Sequence, residues 1–282
     1  MSAATTMDIS RQRTFLIDLT RCTGCRGCQV ACKQWNQMEA EKTSFFRGEG
    51  YQNPAATSEH TLTTIKFRDY QKHGQNEFAF YKEMCMHCND PACVSVCPVS
   101  AFIKTPEGPV VYNAERCIGC RFCMIACPFG IPKYEWSKAL PLVKKCTGCY
   151  SRVKEGMKPA CAKACPSAIS YGSRDEMVEK ARQRLAAKPD RYVNRIYGLD
   201  EAGGTSVLYL SALPFNELGF KKVTGRALPS YTWAALRFVP FVFIAMGGTL
   251  SFISWFTHRK AQMRREAEAR AAAHTQQKED RS

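Results

Sequence analysis

Sixteen cysteines dominate the chemistry that this 282-residue sequence could perform. They fall into four groups of four: group one is Cys22, Cys25, Cys28 and Cys32; group two is Cys85, Cys88, Cys93 and Cys97; group three is Cys117, Cys120, Cys123 and Cys127; group four is Cys146, Cys149, Cys161 and Cys165. Closely spaced thiolates bind zinc or iron–sulfur clusters, whereas disulfide frameworks are typical of short secreted chains. Because no cysteine lies outside the groups, the pattern indicates metal ligation.

The spacing within the groups narrows the choice of metal. Group three reads C-x2-C-x2-C-x3-C-P, the run of bacterial ferredoxins. In that run three cysteines hold one [4Fe–4S] cluster, and the fourth ligates the other cluster of the pair. Group one repeats the spacing with Lys33 in place of the proline, while groups two and four lengthen only the spacer between the second and third cysteine. The chain is therefore predicted to hold four [4Fe–4S] clusters.

Exchange of the fourth cysteine predicts which groups lie together. Only residues 98–116 separate groups two and three, so these are expected to pair, and groups one and four form a second pair that encloses the first in sequence. The predicted ligands are Cys22, Cys25, Cys28 and Cys165 at site one; Cys85, Cys88, Cys93 and Cys127 at site two; Cys117, Cys120, Cys123 and Cys97 at site three; and Cys146, Cys149, Cys161 and Cys32 at site four.

Zinc is the main alternative for groups two and four, because C-x2-C pairs also build structural zinc sites. Such sites usually separate two C-x2-C pairs by about 15–20 residues, whereas groups two and four each end in C-x3-C-P. His87, between the first two cysteines of group two, is expected to support the site rather than to ligate, since four cysteines are already present. The wide gap in group four, residues 150–160, is interpreted as a surface loop inserted into the same pattern.

The formal charge of +15 restricts the classes of partner. Basic chains bind nucleic acids, anionic membrane surfaces or acidic proteins. A [4Fe–4S] cluster with four thiolates carries about −2, so four clusters would reduce the net charge to about +7. The basic residues that flank the cysteines and would offset this negative charge are Arg21, Arg26, Lys33, Arg116, Arg121, Lys144 and Lys145. Because no aromatic–basic binding motif is present, a nucleic-acid partner is not supported.

Short β-rich segments lie beside the cysteine groups and are predicted to position them. They are residues 14–20, 60–67, 76–82, 108–113 and 167–172 and the stretch TSVLYLS. After group four, Ser173 and Glu176 form a capping-box pattern that predicts the start of a helix, with Met177, Ala181 and Leu185 on its apolar face. The N-terminal residues contain no uncharged apolar core of signal-peptide length.

One segment near the C-terminus is predicted to cross a membrane. Phe238 to Phe256 contains 19 residues without a charge, about 28 Å of helix against a hydrocarbon core of about 30 Å. Trp233 and Trp255 lie where interfacial aromatic residues are common. The basic residues of the following tail favour a cytoplasmic C-terminus, with the globular part on the opposite side of the membrane.

Signatures of substrate and nucleotide binding are missing from the sequence. It has no G-x-G-x-x-G, P-loop, G-x-S-x-G or H-E-x-x-H motif, and every cysteine is assigned to a cluster. The chain alone is therefore not expected to catalyse a reaction on a metabolite. It is expected to carry electrons, one at a time, at a membrane.

Six features carry a resemblance to a known family. They are CTGCRGCQVACKQWN, CMHCNDPACVSVCP, CIGCRFCMIACPFGIP, CTGCYSRVKEGMKPACAKACP, EAGGTSVLYL and the single C-terminal span, which together cover most of residues 14–257. The sequence resembles the iron–sulfur (beta) subunits of the molybdopterin oxidoreductases, and within them those of membrane-bound respiratory formate dehydrogenase. The resemblance implies an α+β fold of two intertwined bacterial-ferredoxin-like units, each with two [4Fe–4S] clusters, plus one C-terminal transmembrane helix.

The resemblance also implies partners and a location. Electrons would come from a formate-oxidising alpha subunit with a molybdenum or tungsten bis-pterin centre and leave to a cytochrome b-type gamma subunit that reduces quinone. The globular part would face the periplasm at a bacterial inner membrane, exported with the twin-arginine signal of the catalytic subunit. An equivalent subunit of a hydrogenase or of a polysulfide or thiosulfate reductase is an alternative. A zinc-binding scaffold protein is an alternative of another class.

These assignments divide the chain into predicted parts. The parts are an outer ferredoxin-like unit (14–40 with 141–172), an inner ferredoxin-like unit (76–135), a helix and strand extension with a linker (173–230), the transmembrane helix (233–257) and a charged tail (258–282).

Overall fold

The computed structural model describes residues 12–43, 51–72 and 75–279. The strands are β1 (Arg13–Asp18), β2 (Thr64–Lys72), β3 (Gln75–Glu83), β4 (Phe102–Lys104), β5 (Val110–Tyr112), β6 (Lys133–Tyr134), β7 (Val143–Lys144), β8 (Ile169–Ser173) and β9 (Val207–Leu210). The helices are α1 (Gly27–Trp35), α2 (Ala92–Ser95), α3 (Phe122–Ala126), α4 (Tyr150–Lys154), α5 (Ala160–Ala164), α6 (Arg174–Ala187), α7 (Leu228–Leu236) and α8 (Val239–Glu279). The chain forms two compact units, one up to Pro229 and one from Ser230.

The largest sheet joins the two ends of the cysteine-bearing region. Its strand order is β8-β1-β9, with β1 antiparallel to β8 and parallel to β9. β1 leads into group one, and β8 follows group four; Ile17 lies opposite Ile169. This register places the start of group one beside the end of group four.

Two smaller antiparallel strand pairs join group two to group three and group three to group four. β4 follows group two and pairs with β5, which precedes group three, so that Phe102 lies opposite Tyr112. β6 follows group three and pairs with β7, which precedes group four, so that Lys133 lies opposite Lys144. β2 pairs antiparallel with β3, which ends at Glu83, shortly before group two; residues 73–74 lie outside the described part. Each of the two smaller pairs thus sets the end of one cysteine group beside the beginning of another.

β1 separates two hydrophobic layers, because successive side chains of a strand point to opposite faces. Phe15 and Ile17 pack into the core that contains cysteines of groups one and four. Leu16 points the other way and packs with Met177 and Ala181 of α6. The start of α6 confirms the capping prediction, since the Glu176 N–H donates to Ser173 Oγ at 3.4 Å.

The C-terminal unit is helical. Arg237 and Phe238 separate α7 from α8, and Pro240 lies in the first turn of α8, where its missing N–H breaks no helical hydrogen bond. The helical segment Leu228–Arg270 is long and apolar enough to cross a membrane, and it extends beyond the predicted span of 233–257 at both ends. The predicted charged tail continues α8 as far as Glu279, and residues 280–282 lie outside the described part.

Candidate metal centres

The structure brings eight of the cysteines to two cavities. The site-one cavity, about 450 Å³ with its open mouth, is lined by Cys22, Cys25, Cys28 and Cys165 together with Ile17, Leu19, Ile65 and Ile169. The site-four cavity, about 300 Å³ measured in the same way, is lined by Cys32, Cys146, Cys149 and Cys161 together with Phe15, Met84 and Pro159. Groups one and four therefore each place their last cysteine in the cavity of the other group.

The other eight cysteines collect in the same exchanged manner. The charges of Cys85, Cys127 and Cys93 act on the buried Cys88 thiol and, after burial itself, raise its pKa. The charges of Cys117, Cys120 and Cys97 act in the same way on Cys123. Each set thus includes the last cysteine of the partner group. That these four sets ligate clusters stays a prediction, but their composition is the one that the ferredoxin exchange requires.

Each C-x-x-C turn contains a residue with left-handed backbone at its third position. The residues are Gly24 (φ +67°), His87 (φ +48°), Gly119 (φ +72°) and Gly148 (φ +65°). This conformation turns the backbone N–H groups toward the sulfurs: Gly119 N donates to Cys117 Sγ, and Gly148 N donates to Cys146 Sγ, both at 3.4 Å. Such bonds favour the thiolate form, and hydrogen bonds to sulfur help to set cluster potentials.

Two capping side chains that the sequence analysis did not identify position the first cysteine of groups one and three. The carboxylate of Asp18 accepts from Thr20 N at 3.1 Å and caps the 3₁₀ turn before Cys22. The amide oxygen of Asn113 accepts from Glu115 N at 2.9 Å and caps the equivalent turn before Cys117. A detectable signal exists, because Asp or Asn stands at the same distance before the first cysteine in both groups.

Asp18 also links the turn before group one to α6, which packs against β1. Its carboxylate is fully buried and accepts from Arg184 Nη1 of α6 at 2.9 Å. Tyr192 Oη donates to the same oxygen at 2.9 Å, and the Thr20 hydroxyl donates to the other at 2.7 Å. The turn before Cys22 is therefore held by a satisfied buried ion pair.

The insertion in group four differs from the predicted loop. Residues Tyr150–Lys154 form α4, so the loop prediction is wrong for this half, although Lys154 and Lys158 are exposed as predicted for a surface segment. The buried Arg152 donates from Nε to Lys158 O at 2.8 Å, and its guanidinium lies 4.6 Å from the ring centroid of Trp35. Because Trp35 ends α1, the insertion is fastened to group one.

His87 occupies the left-handed position of group two but makes a different kind of contact from the glycines. Its side chain is buried, and Nδ1 accepts from Val110 N of β5 at 3.0 Å. Burial, with the charges of Lys145 and Lys104, lowers the pKa of His87 well below its usual value, so the imidazole is neutral. The residue thus links group two to β5, in the supporting role expected from the sequence.

The chemistry of the donor sets fits [4Fe–4S] clusters. Burial and then neighbouring cysteines raise the pKa of Cys22, Cys123 and Cys146 to about 11, so these thiols are protonated at neutral pH until a metal deprotonates them. Four cysteines around an apolar cavity are the ligands and the shielding that such a cluster requires. Within residues 12–43, 51–72 and 75–279, no three His, Cys, Asp or Glu side chains converge closely enough to hold a single metal ion.

Comparison with known proteins decides the family. The family model of the 4Fe-4S dicluster domain matches residues 76–174, and that of the 4Fe-4S binding domain matches residues 19–35. In Escherichia coli K12, the iron–sulfur subunit of nitrate-inducible formate dehydrogenase is 41% identical over 69% of this chain and 66% of its own length. The formate dehydrogenase-O iron–sulfur subunit is 38% identical over 72% of this chain and 68% of its own length. Hydrogenase-2 operon protein HybA of Escherichia coli O157:H7 is 34% identical over 74% of this chain and 72% of its own length.

The chain belongs to this family of iron–sulfur electron-transfer subunits. Its cofactors are [4Fe–4S] clusters, and its function is electron transfer. The matches favour iron–sulfur chemistry over the zinc-binding alternative. Because they include subunits named for formate dehydrogenase and a protein named for a hydrogenase operon, they do not separate the two classes of electron donor.

Gly148→Ala is expected to destabilise this iron–sulfur subunit more than the matched control Gly156→Ala. Both glycines are left-handed, at φ +65° and +73°, so alanine at either costs about 1–2 kcal/mol. A Cβ at Gly148 would also lie 3.0 Å from Pro109, whereas nothing lies within 4 Å of one at Gly156. Thermal unfolding followed by circular dichroism should therefore give a lower Tm for Gly148→Ala. Equal Tm values would contradict the tight packing of this turn.

Proposed function

We propose that the subunit holds four [4Fe–4S] clusters and relays electrons from a formate-oxidising Mo/W catalytic subunit to a cytochrome b-type membrane subunit that reduces quinone. The observation that carries this proposal is the collection of the sixteen cysteines into four exchanged sets. Each bound cluster would supply one-electron chemistry in which no bond is made or broken. The chain itself supplies the thiolates, the N–H donors to sulfur and the apolar cover that excludes water.

The four sets are near enough to one another to support a continuous series. Cysteines of neighbouring sets act electrostatically on each other and connect site one to site four, site four to site two, and site two to site three. The neighbouring pairs are Cys28 with Cys161, Cys85 with Cys146, and Cys93 with Cys123. Electrons passing through every site would follow this order in one direction or the other.

We assign sites one and four to an outer unit and sites two and three to an inner one. The outer unit comprises residues 14–40 and 141–172, and the inner unit comprises residues 76–135. The pairing of β1 with β8 supports the outer unit, and the pairing of β4 with β5 supports the inner unit. The two segments of the outer unit lie on either side of the inner unit in sequence, so the two units are intertwined along the chain. In this assignment no cysteine of one unit ligates a cluster of the other.

We place the subunit in a bacterial inner membrane, anchored by the helical segment Leu228–Arg270. The basic residues beyond the apolar stretch support a cytoplasmic C-terminus and a periplasmic globular part. A reporter that is active only in the cytoplasm should be active when it is fused to the C-terminus. An inactive reporter would indicate the opposite orientation, with the C-terminus in the periplasm.

The donor is tested in the complex purified from native membranes under anaerobic conditions. Formate is expected to bleach the absorbance at about 400 nm as far as dithionite does, because the clusters would receive electrons from formate oxidation. The resemblance to the formate dehydrogenase subunits supports this choice. Bleaching by hydrogen but not by formate would replace the catalytic partner with a hydrogenase, the second candidate supported by the likeness to HybA.

A further inference from the structure

The buried lysine Lys82 lies between sites one and four. It belongs to β3 and is 2% exposed, next to Tyr81, which is also buried. Its side chain lines both the site-one cavity and the site-four cavity. A single ammonium therefore borders two cluster sites that use ligands from opposite ends of the cysteine-bearing region.

Among the residues that the structure describes, the Lys82 ammonium has one hydrogen-bond acceptor. Nζ donates to the Thr63 hydroxyl, and an ammonium has three N–H groups to satisfy. Lys82 shares the site-one cavity with Cys28 and the site-four cavity with Cys32, Cys146 and Cys161. A buried cation is expensive unless it is paired, so the negative charge that pairs with Lys82 lies in the two cavities.

Two other buried lysines lie near cysteines but are satisfied differently. Lys104 donates to His87 O at 3.0 Å, to Ser206 Oγ at 3.1 Å and to the Gly108 carbonyl. Lys145 donates to Cys146 O at 2.9 Å and to the Val110 carbonyl. Protein acceptors hold the side-chain nitrogens of both lysines, whereas Lys82 has fewer of them and borders two cavities.

We propose that Lys82 is a shared electrostatic group of sites one and four, which raises the reduction potential of both of their clusters. The proposal rests on the assignment of clusters to these sites made above. A cluster gains one negative charge when it is reduced, and a fixed cation in a low-dielectric interior stabilises the reduced form more than the oxidised form. Because the cation borders both cavities, its removal should affect two clusters at once.

The test is a redox titration of the purified complex followed by EPR, comparing Lys82→Met with wild type. Signals are first assigned with Cys25→Ser for site one and Cys149→Ser for site four. At the potential where each wild-type cluster is half reduced, the ratio of oxidised to reduced cluster at sites one and four is expected to rise at least tenfold. Tenfold corresponds to a fall of about 59 mV for a one-electron couple. Sites two and three should keep their wild-type ratios.

Three further variants make the result specific. Lys163→Met, which removes an exposed charge beside the site-one ligand Cys165, should leave all ratios near wild type, because solvent screens that charge. Lys82→Arg keeps the charge and should restore the wild-type ratios. If Lys82→Met loses a cluster, Lys82→Gln, which retains a donor for Thr63, should show the same tenfold change.

Unchanged ratios at sites one and four, with four clusters still present, would overturn the role of Lys82 while leaving the four-cluster assignment standing. An equal change at all four sites would also overturn it, because the effect would not be local. Wild-type protein without four EPR-distinguishable clusters would instead contradict the proposed function.

Discussion

Cys32→Ser removes the site-four cluster and leaves the site-one cluster in place. Cys32 belongs to group one by sequence, but its side chain lines the cavity of Cys146, Cys149 and Cys161. A serine hydroxyl is a poor substitute for thiolate in a cluster, so the iron content should fall by about a quarter if four equal clusters are present. Iron analysis measures the fall in iron content, and EPR of the reduced protein shows which cluster signal is lost.

The reciprocal variant is the matched control. Cys165 lies in group four but lines the site-one cavity, so Cys165→Ser should remove the other signal and the same fraction of iron. If Cys32→Ser altered only the signal that depends on Cys22, Cys25 and Cys28, each group would hold its own cluster. The exchange of fourth ligands would then be wrong.

Asp18→Asn is expected to reduce the free energy of unfolding by about 3–5 kcal/mol, the usual cost of breaking a buried ion pair on one side. Asparagine has nearly the same shape but no charge, so Arg184 would lose the anion that it contacts at 2.9 Å. The Tyr192 hydroxyl would lose a charged acceptor at 2.9 Å. Since Asp18 also caps the turn before Cys22, the loss should weaken site one first.

Thermal unfolding of the cluster-loaded protein under anaerobic conditions measures this effect. For a unit of this size, a loss of 3–5 kcal/mol corresponds to a fall in Tm of about 10 °C. Asp190→Asn, at an exposed position after α6, is the control and should change stability by no more than about 0.5 kcal/mol. An unchanged Tm for Asp18→Asn would show that the ion pair is not needed.

Much of the metal-site arrangement is predictable from the cysteine spacing. In the bacterial ferredoxin run, the spacing indicates which three cysteines hold one cluster and that the fourth ligates the other cluster. The strands beside the groups were also predictable, since β1 and β3 are long enough to show β-branched or alternating patterns. β6 and β7 have two residues each, too few for any periodicity, yet their pairing sets group three beside group four. The five-residue α4 escaped prediction for the same reason.

Other features depend on contacts between distant parts of the chain. Asp18 is recognisable as a cap from its position, but its ion pair exists only because α6 packs behind β1. Lys82 stands in a strand of mixed polarity, and nothing in NEFAFYKEM shows that it borders two cavities. Burial of a charge between two sites is a property of the packed fold, so it follows from the structure alone.

Iron and acid-labile sulfide analysis of the purified chain, combined with EPR of the fully reduced protein, tests the four-cluster account most directly. Four [4Fe–4S] clusters predict about sixteen iron and about sixteen sulfide per chain, with absorbance at about 400 nm that dithionite bleaches. Colourless protein with zinc bound to its cysteines, or iron for only two clusters when the chain is fully loaded, would contradict it.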